Sequence, residues 1–111
     1  MSSAASALLS AQIGQLAPEF EMPSTKNVAK LNEPVKLSDY RGKWVVLVFY
    51  PLDFTFVCPT ELTTFSDRYE DFTGINAEVI GISTDSVYSH RAWLQTPRDK
   101  NGVEGLLYPL A

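Results

Sequence analysis

WVVLVFYPLDFTFVCPTE, running from Trp44 to Glu61, is the stretch on which the fold turns. Trp44 to Tyr50 is an unbroken apolar run, rich in β-branched and aromatic residues, and such a run predicts a strand buried on both faces. Pro51 ends it, because proline has no N–H to give a sheet. Leu52 to Val57 then read as a loop leading to Cys58. From Pro59 to Phe72 the apolar positions Leu62, Phe65, Tyr69 and Phe72 fall at helical spacing, with Ser66, Asp67, Glu70 and Asp71 opposite. Pro59 suits a first turn, and Glu61 places a negative charge at the positive end of the helix dipole.

Working outward toward the C-terminus, Gly74 is a plausible stop for that helix. Ala77 to Thr84 (AEVIGIST) predicts a second buried strand, and Asp85 or Ser86 can cap a helix from Val87 to about Gln95. Residues 97–105 are polar and turn-rich, and Leu106 to Leu110 are apolar again. Toward the N-terminus, Val35-Lys36-Leu37 alternates as a brief strand. Ser38 to Lys43 reads as a turn or a single helical turn closed by Gly42, and Pro18, Pro23 and Pro34 break residues 12–34 into short extended pieces. Strand, helix, strand, helix predicts an α/β fold with a parallel sheet and crossover helices. Residues 1–11 are expected to be a flexible start and residues 12–111 the domain. Two buried strands make a poor core, so the domain is expected to lack its C-terminal strands and covering helix.

Nine Lys and Arg against thirteen Asp and Glu give a net charge of -4, which offers no basic footprint for nucleic acid or an anionic membrane surface. No apolar run approaches the roughly 18 residues of a spanning helix. The N-terminal MSSAASALL has neither a basic segment nor a long apolar core, so it reads poorly as a secretory signal. With a lone cysteine that forms no internal disulfide, the expected compartment is the cytoplasm.

Cys58 is the one cysteine. A free cysteine is commonly a small buried hydrophobe, but its place here favours chemistry. In open parallel sheets, sites gather beyond the carboxyl ends of the strands. A thiol at the start of a helix there faces unpaired N–H groups and a positive dipole end, which favour the thiolate and lower a pKa that is ordinarily about 8.5. Thr55, three residues earlier, can return its hydroxyl toward the sulfur or merely fix the loop. Pro51 either rigidifies the loop and shields the sulfur or simply terminates the strand. Glu61 reads as a helix-start residue, His90 as a packing or capping residue, and Trp44, Phe49, Tyr88 and Trp93 as core or interface aromatics.

Pro51, Thr55 and Cys58, spaced as Pro-x-x-x-Thr-x-x-Cys and followed by Pro59-Thr60-Glu61, resemble the peroxiredoxin motif. The flanking KWVVLVFY, TFSDRYEDF, AEVIGISTDS, HRAW and YPLA are similar in order and spacing to typical two-cysteine peroxiredoxins, from about Ile13 to Ala111. The resemblance implies a thioredoxin-like fold and a peroxidatic Cys58, with Thr55 and Pro51 completing the visible part of the pocket. It implies reduction of hydrogen peroxide and organic hydroperoxides through a sulfenic acid, without metal or other cofactor. It also implies a resolving thiol, a thioredoxin-like reductant, and a homodimer or ring of dimers. The family's pocket arginine lies downstream of YPLA, and neither Arg91 nor Arg98 matches it. A redox-regulated chaperone or signalling partner, or an inactive fragment of the enzyme, are the competing expectations.

Overall fold

The structure is a computed structural model that describes residues 11–54 and 58–111, Cys58 through its backbone alone. The flexible start expected for residues 1–11 therefore falls, but for Ala11, outside the described residues. In chain order the elements are β1 (Glu21–Met22), β2 (Val35–Lys36), a 3-10 turn (Leu37–Tyr40), β3 (Trp44–Phe49), α1 (Cys58–Asp67), α2 (Tyr69–Gly74), β4 (Ala77–Ile82), α3 (Val87–Leu94) and a 3-10 turn (Arg98–Lys100).

β3 and β4 pair in parallel from Trp44↔Ala77 to Phe49↔Ile82. The intervening α1 and α2 provide the crossover that parallel pairing requires. The apolar segment near the C-terminus extends this pair: Gly81 N–H donates to Pro109 O at 3.0 Å, Ala111 N–H to Gly81 O at 2.8 Å, and Ser83 N–H to Ala111 O at 3.1 Å. β1 and β2 form a separate antiparallel ribbon. Side chains alternate across the strands, so the sheet separates two apolar clusters. Val79 of β4 and Val46 and Val48 of β3 pack with Leu62, Trp93 and Tyr108 on the helical side. Ile80, Ile82, Val45 and Leu47 pack with Val35 and Met22 on the side of the β1–β2 ribbon.

β4 is the buried strand expected for its sequence. β3 is not: Trp44 is 76% and Phe49 70% exposed, and the residues between them are only half-buried. Its composition describes a strand that seeks cover on both faces, but among the described residues β3 pairs with β4 alone and its other edge is open. Tyr88 is likewise exposed, and of the four aromatics expected in core or interface only Trp93 is buried.

The single helix expected over 59–72 is divided at Arg68, whose φ of -103° and ψ of 15° leave the helical region. In the preceding turns, the Thr63 and Thr64 hydroxyls donate back to the Pro59 and Thr60 carbonyls at 2.8 and 2.7 Å, a bond that tends to bend helices. The break turns α2 onto the sheet, where the Tyr69 hydroxyl donates to Glu78 at 2.7 Å. α2 ends at Gly74, the expected stop, and the left-handed residue that follows is Asn76, with φ 61°. Ser86 caps α3 by accepting from Ser89 N–H. Among the described residues no helix is long and apolar enough to cross a membrane.

Candidate active site

β3 ends at Phe49, and Tyr50 continues its direction by donating its N–H to Ile82 O at 3.0 Å. The chain then leaves the sheet through Pro51 and Leu52, both exposed, and re-enters regular structure at Cys58, the first residue of the ten-residue α1. The backbone of Cys58 therefore begins a helix beyond the carboxyl end of a parallel strand, and a helix start offers unpaired N–H groups and a positive dipole end. Thr55 lies outside the described residues. Pro51 ends the strand, as its chemistry requires, and Glu61 is exposed in the first turn of α1.

α1 is held in place from the far end of the chain. The Tyr108 hydroxyl donates to Leu62 O at 2.7 Å, and Leu107 N–H donates to the buried Ser66 Oγ at 2.9 Å. Leu62 is fully buried beneath it.

The other end of the loop is fixed by a buried polar cluster that the sequence patterns did not reveal. Asp53, though flanked by Leu52 and Phe54, is 7% exposed. Its Oδ1 accepts from the Tyr50 hydroxyl at 2.6 Å and its Oδ2 lies 2.8 Å from His90 Nδ1. His90 Nε2 in turn lies 3.2 Å from the Ala111 carbonyl oxygen. Burial pushes the Asp53 carboxyl up, yet hydrogen bonds from His90, Tyr50 and Ser89, with the charge of His90, together outweigh it and hold the group below the usual carboxylate range. The Tyr50 hydroxyl is driven far above its ordinary value, first by burial and then by its bond to Asp53. The Asp53 N–H donates to Asp85 Oδ2 at 2.8 Å, so backbone and side chain of the same residue are both anchored.

Phe54, next in the chain, adopts φ 63°, a left-handed conformation that a bulky residue keeps only where its surroundings impose it. Its ring lies 5.9 Å from that of Trp93. His90 is buried, in keeping with the packing role expected for it, but α3 is capped by Ser86 and His90 is a member of the loop anchor. The signal for the cluster was available in part: an acidic residue within an apolar loop, and a histidine on the same side of a helix as Val87 and Leu94. Donor atoms of Asp53, Asp85 and His90 come within 4.8 Å of one another, the spacing of a cation site. Both Asp53 oxygens are already engaged, however, and the set is accounted for by hydrogen bonds. Arg91 sits over the Tyr88 ring and Arg98 pairs with Asp67, so each is occupied on the surface.

A helix that starts at a cysteine after a parallel strand, in an α/β layer of this order, defines a thioredoxin-like class of domain. Residues 13–111 match the model of the AhpC/TSA family, and the chain belongs to that family. Barley 2-Cys peroxiredoxin BAS1, a chloroplastic protein, is 56% identical over 99 residues, which are 88% of this chain and 46% of that one. Among solved structures, the reduced 2-Cys peroxiredoxin of Plasmodium vivax superposes with a TM-score of 0.83 at 38% identity, over 90% of this chain and 61% of that one. The mitochondrial 2-Cys peroxiredoxin of Plasmodium falciparum gives a TM-score of 0.77 at 40% identity, over 89% and 59%. The fold is therefore the thioredoxin-like fold of peroxiredoxins, and the chain spans about half the length of the curated relatives it matches.

The expectation of a cytoplasmic location is overturned, because close relatives are chloroplastic and mitochondrial. A lone thiol and a mildly acidic surface do not distinguish one reducing compartment from another.

Proposed function

We propose that this chain carries the peroxide-reducing centre of a thiol-dependent peroxidase, with Cys58 as the attacking group. The observation that carries the reading is the placement of Cys58 at the first position of α1, beyond the carboxyl end of β3, within the family match. The Cys58 thiolate attacks the nearer peroxide oxygen. An S–O bond forms as the O–O bond breaks, and the departing alkoxide or hydroxide takes up a proton and leaves as alcohol or water. Cysteine is oxidised to the sulfenic acid and the peroxide is reduced. Backbone N–H groups at the start of α1 stabilise the thiolate, and the Thr55 hydroxyl donates to the shifting charge on the peroxide. Pro51 stiffens the beginning of the loop.

Within these residues there is no second cysteine to condense with the sulfenic acid, so turnover draws on another thiol, and a thioredoxin-like dithiol is the reductant that the family resemblance supports. Exposed Leu52, Phe54 and Tyr88 support self-association. The test is mass spectrometry after stoichiometric hydrogen peroxide, with dimedone as a trap for sulfenic acid. Oxygen or a dimedone adduct on Cys58 is expected before any change at Met1 or Met22. Unmodified Cys58 in folded protein, with methionine oxidised first, overturns the reading.

A further inference from the structure

Asp85 sits on the turn that leaves β4, half-buried and outside the Pro-Thr-Cys motif. Its Oδ2 accepts from the Ser83 hydroxyl at 2.7 Å and from the Asp53 N–H at 2.8 Å, while its own N–H donates to Ser83 Oγ at 3.1 Å. The carboxylate is therefore locked to its own turn and reaches across to the Asp53 amide in the loop that leads to Cys58. Its job is separable from capping α3, which Ser86 performs. Immediately beyond the amide it holds, Phe54 takes its left-handed conformation. The body of α1 is held by Tyr108 at Leu62 and by Leu107 at Ser66. The position and direction of the chain at Phe54 depend on where Asp53 is held.

We infer that Asp85 is a positioning residue for the thiol chemistry of Cys58, acting through the Asp53 amide to set the direction in which the loop leaves β3. This rests on the reading of Cys58 as the reacting thiol. A carboxylate bonded to an amide fixes a backbone more firmly than a neutral acceptor, since charge-assisted hydrogen bonds are the shorter and stronger kind. Reaction at a thiolate requires the attacking sulfur, the peroxide and its donors to be aligned, and small displacements are costly there.

The test compares the full chain with Asp85→Ala and Asp85→Asn, following the second-order rate of Cys58 oxidation by hydrogen peroxide, with alkylation by iodoacetamide as a measure of thiol access. Asp85→Ala should slow peroxide oxidation at least about tenfold while changing alkylation far less, and Asp85→Asn, which keeps an acceptor at the same reach, should recover the rate to within about threefold. Amide exchange at Asp53 should quicken much more in Asp85→Ala than in Asp85→Asn. If Asp85→Ala lowers the folded fraction, Asp85→Ser keeps a polar group on the 83–86 turn but is too short for the Asp53 amide, and carries the same expectation. Parental peroxide rates in Asp85→Ala or Asp85→Ser overturn the inference, as does a rate in Asp85→Asn no better than in Asp85→Ala. An unreactive Cys58 in the parent overturns the underlying reading of the thiol instead, so the two failures are told apart.

Discussion

Asp53 and His90, 37 residues apart in the chain, meet at 2.8 Å in a site from which water is excluded. One belongs to the loop after β3 and the other to α3, so their bond closes the crossover that leads through α1, α2 and β4. Breaking a buried pair by removing one partner leaves the other without compensation. Asp53→Ala should therefore destabilise the fold by about 3–5 kcal/mol, while Tyr50→Phe, which removes one donor from the same carboxylate, should cost about 1.5–3 kcal/mol. Urea unfolding followed by Trp93 fluorescence measures both, and equal small losses would show that the cluster contributes little.

The depressed carboxyl of Asp53 fixes the sign of its acid response. A group whose folded pKa lies below its unfolded value adds stability above the unfolded pKa and loses it as pH falls through the folded one. Stability should thus decline from about pH 4 downward, and Asp53→Asn should flatten that decline while lowering stability at neutral pH. A parallel acid limb in parent and variant, read from urea midpoints against pH, would assign the loss to other carboxylates.

The tyrosines predict the opposite limb. Burial raises Tyr50 and Tyr108 far above the ordinary phenol value, and Tyr69 is pushed up to about 12 by burial and then by its bond to Glu78. Groups raised in the folded state contribute stability that is complete below the unfolded pKa near 10 and is lost as pH rises through the folded value. Absorbance at the tyrosinate band should therefore rise in two steps, the second coinciding with loss of the near-ultraviolet circular dichroism signal. A single smooth titration without unfolding would contradict the burial of Tyr50 and Tyr108.

Thr55 separates two roles by chemistry. Thr55→Ser keeps the hydroxyl and should retain most peroxide reactivity, whereas the near-isosteric Thr55→Val should lose about a hundredfold to a thousandfold, the range for removing one donor to a developing charge. A Val variant as fast as the parent would leave Thr55 as a loop-fixing residue.

The alternation of apolar runs with amphipathic segments made β4, α3 and the parallel pairing legible, because those elements bury what their own composition demands. β3 has a composition just as apolar, yet its surroundings decide its exposure, and no local pattern reports whether a neighbour lies along an edge. The break at Arg68 was hidden for a related reason: the apolar spacing from Leu62 to Phe72 continues across it, while the bend depends on side-chain bonds to the backbone and on the pull of Glu78. Cys58, Thr55 and Pro51 stood out because their spacing resembles the family's motif. Asp53, His90 and Asp85 did not, since their relation exists only once the crossover has closed. Each carries a polar group that is costly to bury until its partners arrive.

Leu110 exchanges bonds with Thr25, its N–H donating to Thr25 Oγ1 and its carbonyl accepting from Thr25 N–H, each at 3.0 Å across 85 positions of chain. Such an arrangement governs the order of events in folding. Closing so long a loop costs entropy before any contact rewards it, and topologies rich in distant pairings form slowly. During synthesis the β3–β4 pair can assemble early, but the segment that extends it and anchors α1 emerges only after both strands. A nascent chain released before Leu110 emerges would hold the thiol on a helix with nothing to seat it, and capture by chaperones should peak in that interval.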